Sequence, residues 1–268
     1  MTEPADRLCV VRGGGDLATG VAWRLSRAGF PVVVTELATP LTVRRAVALS
    51  SAVLNETVDV EGMIGRLASS ASEAIDIATL GDIGVLVSRD LPQLGQQVVV
   101  DARLAKRNID TTLDDASLVV ALGPGFTVGL DCHAVVETKR GHHLGRVLWD
   151  GSAAPDTGTP GVIEGRAAER VLRAPAAGEV RWHVQIGEVV AKDAELGMIG
   201  TELITAPFDG MIRGLISPIT TIAAGVKVGD VDPRIDPALC TEISDKALAV
   251  GGGVLEAVLT GHGSRPAH

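Results

Sequence analysis

Ten residues into the chain, Val10-Val11-Arg12-Gly13-Gly14-Gly15-Asp16-Leu17-Ala18-Thr19-Gly20 limits the available folds more than any other stretch. A short apolar run enters three consecutive glycines, and Leu17, Val21, Leu25 and Ala28 then recur at helical spacing up to Gly29. A second apolar run, Pro31 to Thr35, ends on Glu36. Strand, glycine turn, helix and strand in that order predict the opening of a Rossmann-type unit, with Gly13, Gly15 and Ala18 in the G-x-G-x-x-G/A positions. In such a unit the amides of Gly13, Gly14 and Gly15 approach an anion at a helix N-terminus, and Glu36 accepts from a ribose hydroxyl. Asp16 complicates this, because its carboxylate would face a pyrophosphate; its alternative role is to cap the helix.

Further apolar runs follow at Ile83–Ser88, Gln97–Asp101 and Leu118–Leu122, as expected of a parallel sheet covered on both faces. Two of them end at strand termini where open α/β sheets bind ligands, namely Asp101-Ala102-Arg103 and Gly123-Pro124-Gly125. Between the runs, Thr39 and Pro40 predict a helix start, placing Arg44 and Arg45 a turn or two inside it, where either could neutralise a phosphate, as could Arg12. Residues 56–62 alternate like an edge strand, and 63–78 is expected to be helical.

The segment richest in reactive side chains is Asp131-Cys132-His133 followed by Glu137-Thr138-Lys139-Arg140-Gly141-His142-His143. Cys132 beside His133 allows a thiolate nucleophile. Ligation of a metal by Cys132 with His133, His142 or His143 is a second reading, and a plain strand at 134–137 flanked by polar turns is a third. None of these has motif spacing, and no metal site is assigned.

From Asp150 the composition turns to Gly, Ala, Pro, Asp and Thr, marking 151–165 as a linker or active-site loop after a domain at 1–150. Its Asp156-Thr157-Gly158 is a single copy of a tripeptide used by aspartic proteases and lacks their surrounding strands. Beyond it, Ala174-Pro175-Ala176-Ala177-Gly178-Glu179-Val180 is echoed by Ala206-Pro207-Phe208-Asp209-Gly210-Met211-Ile212. Such a duplication resembles the barrel-sandwich domain of biotinyl and lipoyl carriers, here at 166–232. The hairpin at 197–203 carries no lysine, so neither biotin nor lipoate is expected. A C-terminal helical segment spans 233–268, with Ser244 as cap and glycines at 251, 252 and 253 that imply tight packing or a ligand contact. The expected fold class is therefore α/β, a Rossmann-like parallel sheet domain followed by a biotinyl/lipoyl-like β barrel-sandwich module and a C-terminal helix.

Composition narrows the partners. The formal charge is −9, there are six aromatic residues (three Trp, three Phe, no Tyr) and no basic stripe, which argues against nucleic acid. No apolar run reaches the ~18 residues that span a bilayer. Three scattered cysteines imply no disulfide framework, and the N-terminus has no signal-peptide core, so a cytoplasmic protein with a small-molecule cofactor is expected. A homo-oligomer is compatible with all of this.

Four stretches carry a family resemblance: residues 11–20, Glu137 to His142, Gly229-Asp230-Val231-Asp232-Pro233-Arg234, and Ile243 to Ala257. They resemble the YqeB-type family associated with selenium-dependent molybdenum hydroxylases. Joined to the loop at Gly13 to Gly15, whose amides would bind a nucleotide or the phosphate of a molybdopterin-type cofactor, the resemblance implies an accessory role in maturing a molybdenum hydroxylase, a partnership with that enzyme, and handling of a labile selenium or sulfur ligand. Under it, Cys132 is the thiol for any selenium or sulfur chemistry. The alternatives from other classes are an NAD(P)-dependent oxidoreductase and a non-catalytic scaffold docking to the hydroxylase.

Overall fold

A computed structural model of the chain describes residues 6–156, 165, 168–218 and 221–261. The expected linker at 151–165 falls largely outside these residues, as does the end of the chain beyond 261. The chain divides into two compact units, one of Met1–Ala38, Ala48–Thr157 and Ile243–His268, the other of Thr39–Val47 and Gly158–Glu242.

The first unit begins with strand β1 (Cys9–Arg12), helix α1 (Asp16–Arg27) and strand β2 (Val32–Glu36). A one-turn helix α2 (Ala52–Asn55) leads to β3 (Thr57–Val60) and β4 (Met63–Ala68), then to α3 (Ala71–Thr79). The sheet continues with β5 (Ile83–Val87), β6 (Val98–Asp101), β7 (Leu118–Leu122), β8 (Ala134–Val136) and β9 (Val147–Leu148). These form one nine-stranded sheet in the order β3-β4-β5-β2-β1-β6-β7-β8-β9. The seven inner strands run parallel, while β3 and β9 pair antiparallel at the edges. Inner strands such as β7 are buried throughout, consistent with their unbroken apolar sequence.

The second unit contains β10 (Val171–Arg173), β11 (Gly178–Trp182), β12 (Val189–Val190), β13 (Glu195–Ile199), β14 (Glu202–Thr205), β15 (Gly210–Leu215), β16 (Thr221–Ile222) and β17 (Lys227–Asp232). They make two four-stranded antiparallel sheets, β10-β17-β15-β12 and β14-β13-β11-β16. The two copies of the sequence repeat contribute β11 to one sheet and β15 to the other. Their core is aliphatic, built on Leu196, Ile199, Ile212, Leu215 and Ile216. At its edge, Asp232 is wholly buried and receives Arg170 at 3.1 Å and Arg234 at 2.8 Å. A short α4 (Ala238–Thr241) closes the unit, and α5 (Asp245–Thr260) returns to the first.

Three expectations are corrected. The Rossmann-plus-barrel arrangement is replaced by a mixed sheet with antiparallel edges, two open antiparallel sheets, and a terminal helix that belongs to the first unit. Residues 63–78 are not one helix, because Glu61 and Gly62 both take positive φ (51° and 79°) and turn β3 directly into β4. That is the geometry of a two-residue type I′ hairpin, and it spends Met63–Ala68 on a strand. The helix expected from Thr39 is only a 3₁₀ turn at Arg45–Val47.

Helix α5 explains its own glycines. A Cβ on Gly20 of α1 would lie 2.4 Å from Ala247 O, and one on Gly251 would lie 2.3 Å from Gly20 O. One on Gly253 would lie 2.1 Å from Gly145 O. Glycine at these positions lets the two helix backbones and the 145 loop touch. Gly252, on the other side of α5, has nothing within 4 Å. Of the two expectations for this run, tight packing accounts for Gly251 and Gly253.

Candidate functional site

The glycine turn after β1 is filled by the protein itself. Gly13 N–H donates to Thr35 O at 2.8 Å, and Gly14 N–H donates to the Glu36 carboxylate at 2.8 Å. The other Glu36 oxygen accepts from Leu37 N–H at 2.7 Å. Burial raises the Glu36 carboxyl above its ordinary range, with these backbone hydrogen bonds pulling the other way. On the far face, Ser50 N–H donates to Gly14 O at 2.8 Å. A Cβ on Gly13 (φ 93°) would sit 3.2 Å from Ala102 O, and one on Gly14 would sit 2.8 Å from Ser50 N. The close approach these glycines allow is thus taken by the chain's own backbone. Gly15 is the N-cap of α1, and Asp16 is the first helical residue rather than the cap.

Beside the turn, the ends of β1 and β6 are joined by a charged network. Arg12, itself buried, pairs with Asp110 at 2.8 Å and donates to Thr111 at 3.1 Å. Arg103 holds Asp101 at 2.6 Å and Asp110 at 2.7 Å, and the Thr111 hydroxyl donates to Asp101 at 2.6 Å. Burial pushes Asp110 up, but the hydrogen bonds and charges of Arg12 and Arg103 win and leave its carboxyl below the ordinary range. Arg12 is thereby committed to its own carboxylate.

The other sequence candidates lie elsewhere. Arg44 and Arg45 belong to the second unit, where Arg44 donates to Leu239 O and Glu242 O (both 2.9 Å) and Arg45 donates to Leu215 O at 2.6 Å. Cys132 is fully buried in the core of the first unit, with Val119, Val135 and Ala121. Burial, then the charges of Asp131 and Asp101, push its thiol up to about 12, so a neutral-pH solution leaves it protonated. His133 directs Nδ1 to the backbone N–H of Val119 at 2.9 Å, fixing the start of β7. Among the described residues, no group of three or more His, Cys, Asp or Glu is arranged to hold a metal ion.

An open cleft of about 160 Å³ lies in the first unit, at the carboxyl ends of the parallel strands. Its lining comes from α1 (Leu17), the segment after β6 (Leu104, Lys106), the end of β7 and its turn (Leu122, Pro124), the residue pair after β8 (Thr138), Asp156, and the first turn of α5 (Lys246). Gly123 admits Thr138, since a Cβ there would fall 2.4 Å from the threonine Oγ1. Leu104 and Lys106 both sit at positive φ, 54° and 61°. This is a costly conformation for side-chain-bearing residues and one that concentrates at ligand sites. The loop is held there by Gly125, where a Cβ would meet Arg107 Cα at 2.5 Å, and by the Lys106–Asp156 pair at 2.6 Å.

Lys246 differs from Lys106. It is half-buried, and among the described residues no carboxylate comes within ion-pairing distance of its Nζ. Desolvation, then the nearby Arg140 guanidinium, lowers its pKa, against the weaker pull of Asp16, Glu137 and Asp245. Arg140 is paired bidentately with Asp245 at 2.8 and 3.0 Å. The buried Glu137 accepts from Lys139 N–H and Ala154 N–H, both at 2.7 Å.

Sequence reasoning passed over Lys246 and Thr138 as candidates, although both lie in stretches that carried the family resemblance. The available signal was the capped start Ser244-Asp245-Lys246. Ser244 Oγ accepts from Ala247 N–H at 3.1 Å, which fixes the first turn of α5 and so the position of Lys246.

No family model matches the chain. It is 47% identical over 256 residues to a protein of Escherichia coli (strain K12) called "Uncharacterized protein YqeB". The alignment covers 94% of this chain and 47% of that protein, so the chain spans about half the length of the relative. The identity supports the YqeB-type relationship drawn from the motifs. Two solved structures overlap it weakly. An aspartoacylase family protein from Mesorhizobium loti aligns at 12% identity, 84% of each chain and a TM-score of 0.28. A succinylglutamate desuccinylase/aspartoacylase from Rhodobacter sphaeroides aligns at 15% identity, 84% and 85% of the chains and a TM-score of 0.27. The expected Rossmann-plus-barrel arrangement is overturned by the chain's own mixed nine-stranded sheet and two antiparallel sheets.

Proposed function

We propose that this chain is an accessory protein in the maturation of a molybdenum hydroxylase, and that it binds a phosphate-bearing small molecule, a nucleotide or pterin cofactor, in the cleft of its first unit. The observation that carries the binding site is the meeting of Lys106 and Lys246 in one cleft at strand carboxyl ends. The hydroxylase connection rests on the YqeB-type resemblance. Three of the stretches carrying it supply cleft residues: Leu17, Thr138 and Lys246. The glycine turn is not this site, since Glu36 already occupies its Gly14 amide.

Ligand pockets for whole drug-sized molecules run to about 300–1,000 Å³. A cleft of about 160 Å³ therefore receives one end of a nucleotide or pterin, the phosphate or the ring, and leaves the rest outside. Calorimetric titration of inorganic phosphate, AMP and GMP tests the site. Lys106→Gln is expected to weaken binding by about 10- to 100-fold, the value of a hydrogen bond to a charged group. Undiminished affinity in that variant removes the cleft from the account. Loss of molybdenum hydroxylase activity in a strain lacking the protein, restored by the wild-type chain, tests the pathway.

A further inference from the structure

The two lysines of the cleft are in different chemical situations. Lys106 is well exposed and paired with Asp156, which holds it as a standing cation at the rim. Lys246 lines the cleft with the apolar Leu17, Leu122 and Pro124 as well as Thr138, Asp156 and Lys106, makes no ion pair among the described residues, and has Arg140, itself paired with Asp245, nearby. An amine that is desolvated and placed beside another positive charge loses its proton more readily and becomes nucleophilic.

Resting on the reading of this cleft as a ligand site, we propose that Lys246 is its nucleophilic amine, capturing as an imine a small aldehyde or ketone that carries an anionic group, while Lys106 attracts that group. In the step, the Nζ lone pair forms a bond to the carbonyl carbon and the C=O π pair moves to oxygen. The two amine protons leave with that oxygen as water, and a C=N bond remains. No oxidant or reductant is required. The groups facing Lys246 are Asp16 from α1, Glu137 and Arg140 from the segment after β8, and Asp245 from its own helix.

Lys139 and Lys192, both exposed, serve as internal references. The full chain is treated at pH 7.5 with pyridoxal 5′-phosphate and cyanoborohydride, whose hydride reduces the C=N bond to a stable secondary amine, and the adducts are mapped by peptide mass. The expected result is labelling of Lys246 at least ~10-fold faster than of either reference, slowed by added inorganic phosphate. Loss of this adduct in Lys246→Arg, with the thermal midpoint retained, is also expected. Labelling no faster than at Lys139, while phosphate still binds, overturns the nucleophile and leaves an anion site. Absence of both phosphate binding and preferential labelling overturns the cleft as well.

Discussion

Glu36 shows how a single side chain redirects a motif. Its carboxylate takes the Gly14 amide that a phosphate would otherwise use. Glu36→Ala would leave that N–H without its acceptor in a part-buried turn, and unfolding by urea is expected to show a loss of about 1–3 kcal/mol. At Lys246 the opposite sign is expected. Its pKa is lowered from 10.5, so between the folded value and 10.5 the unfolded chain binds more protons and stability rises with pH. The cost of the desolvated ammonium is present in full below the folded pKa and is gone above 10.5. Lys246→Met should therefore raise the midpoint of urea unfolding at neutral pH, with the gain fading as pH approaches 10.5. The three cysteines make a third case. Cys9 and Cys132 are buried with thiols pushed up to about 12, and Cys240 is also buried and raised. Native protein at pH 7.5 is expected to resist iodoacetamide and to react only on unfolding. Prompt labelling of Cys132 would restore it as a reactive thiol.

Among the elements, the pairing of α1 with α5 offers the sharpest contrast. Gly251→Ala drives a Cβ into the Gly20 carbonyl and should destabilise by about 1–3 kcal/mol, as overpacking does. Gly252→Ala, one residue on and facing open space, should stabilise the helix by up to about 1 kcal/mol. Thermal melts of the two variants read this directly. The same elements show what the sequence made visible. β1, β2, β5, β6 and β7 announced themselves because strands buried on both faces are continuous apolar runs. β4 was hidden because Met63–Ala68 merges into the start of α3, and the turn that separates it from β3 uses Glu61 in a left-handed conformation that its residue type does not signal. Lys246 was hidden for a different reason. On a helix pattern it is an ordinary polar first-turn residue, and only the long-range packing of α5 against α1 and the 145 loop brings it to the strand ends.

For the whole molecule, charge is stored inside as well as outside. Burial pushes Asp232 up, but hydrogen bonds from Arg234 and the charges of Arg170 and Arg234 outweigh it and depress its carboxyl below 3.8. Asp110 in the first unit is depressed likewise. A carboxylate with a depressed folded pKa contributes stability above its ordinary value and loses it as pH falls through the folded one. Circular dichroism should thus show acid unfolding setting in below pH ~4, steeper in the wild type than in Asp232→Asn, which has already lost the contribution. Opposite charges are thus placed inside both units. The net charge of −9 sums the whole chain, while the cleft is lined by two lysines and Asp156.

The central claim is that the ligand end sits in the Lys246 cleft and not on the glycine turn. A crystal structure of the full chain soaked with GMP decides it. Density for a phosphate or base bounded by Lys246, Thr138 and Lys106, with Glu36 still on the Gly14 amide, is the predicted result. Density at Gly13 to Gly15 with Glu36 displaced onto the ribose would contradict it.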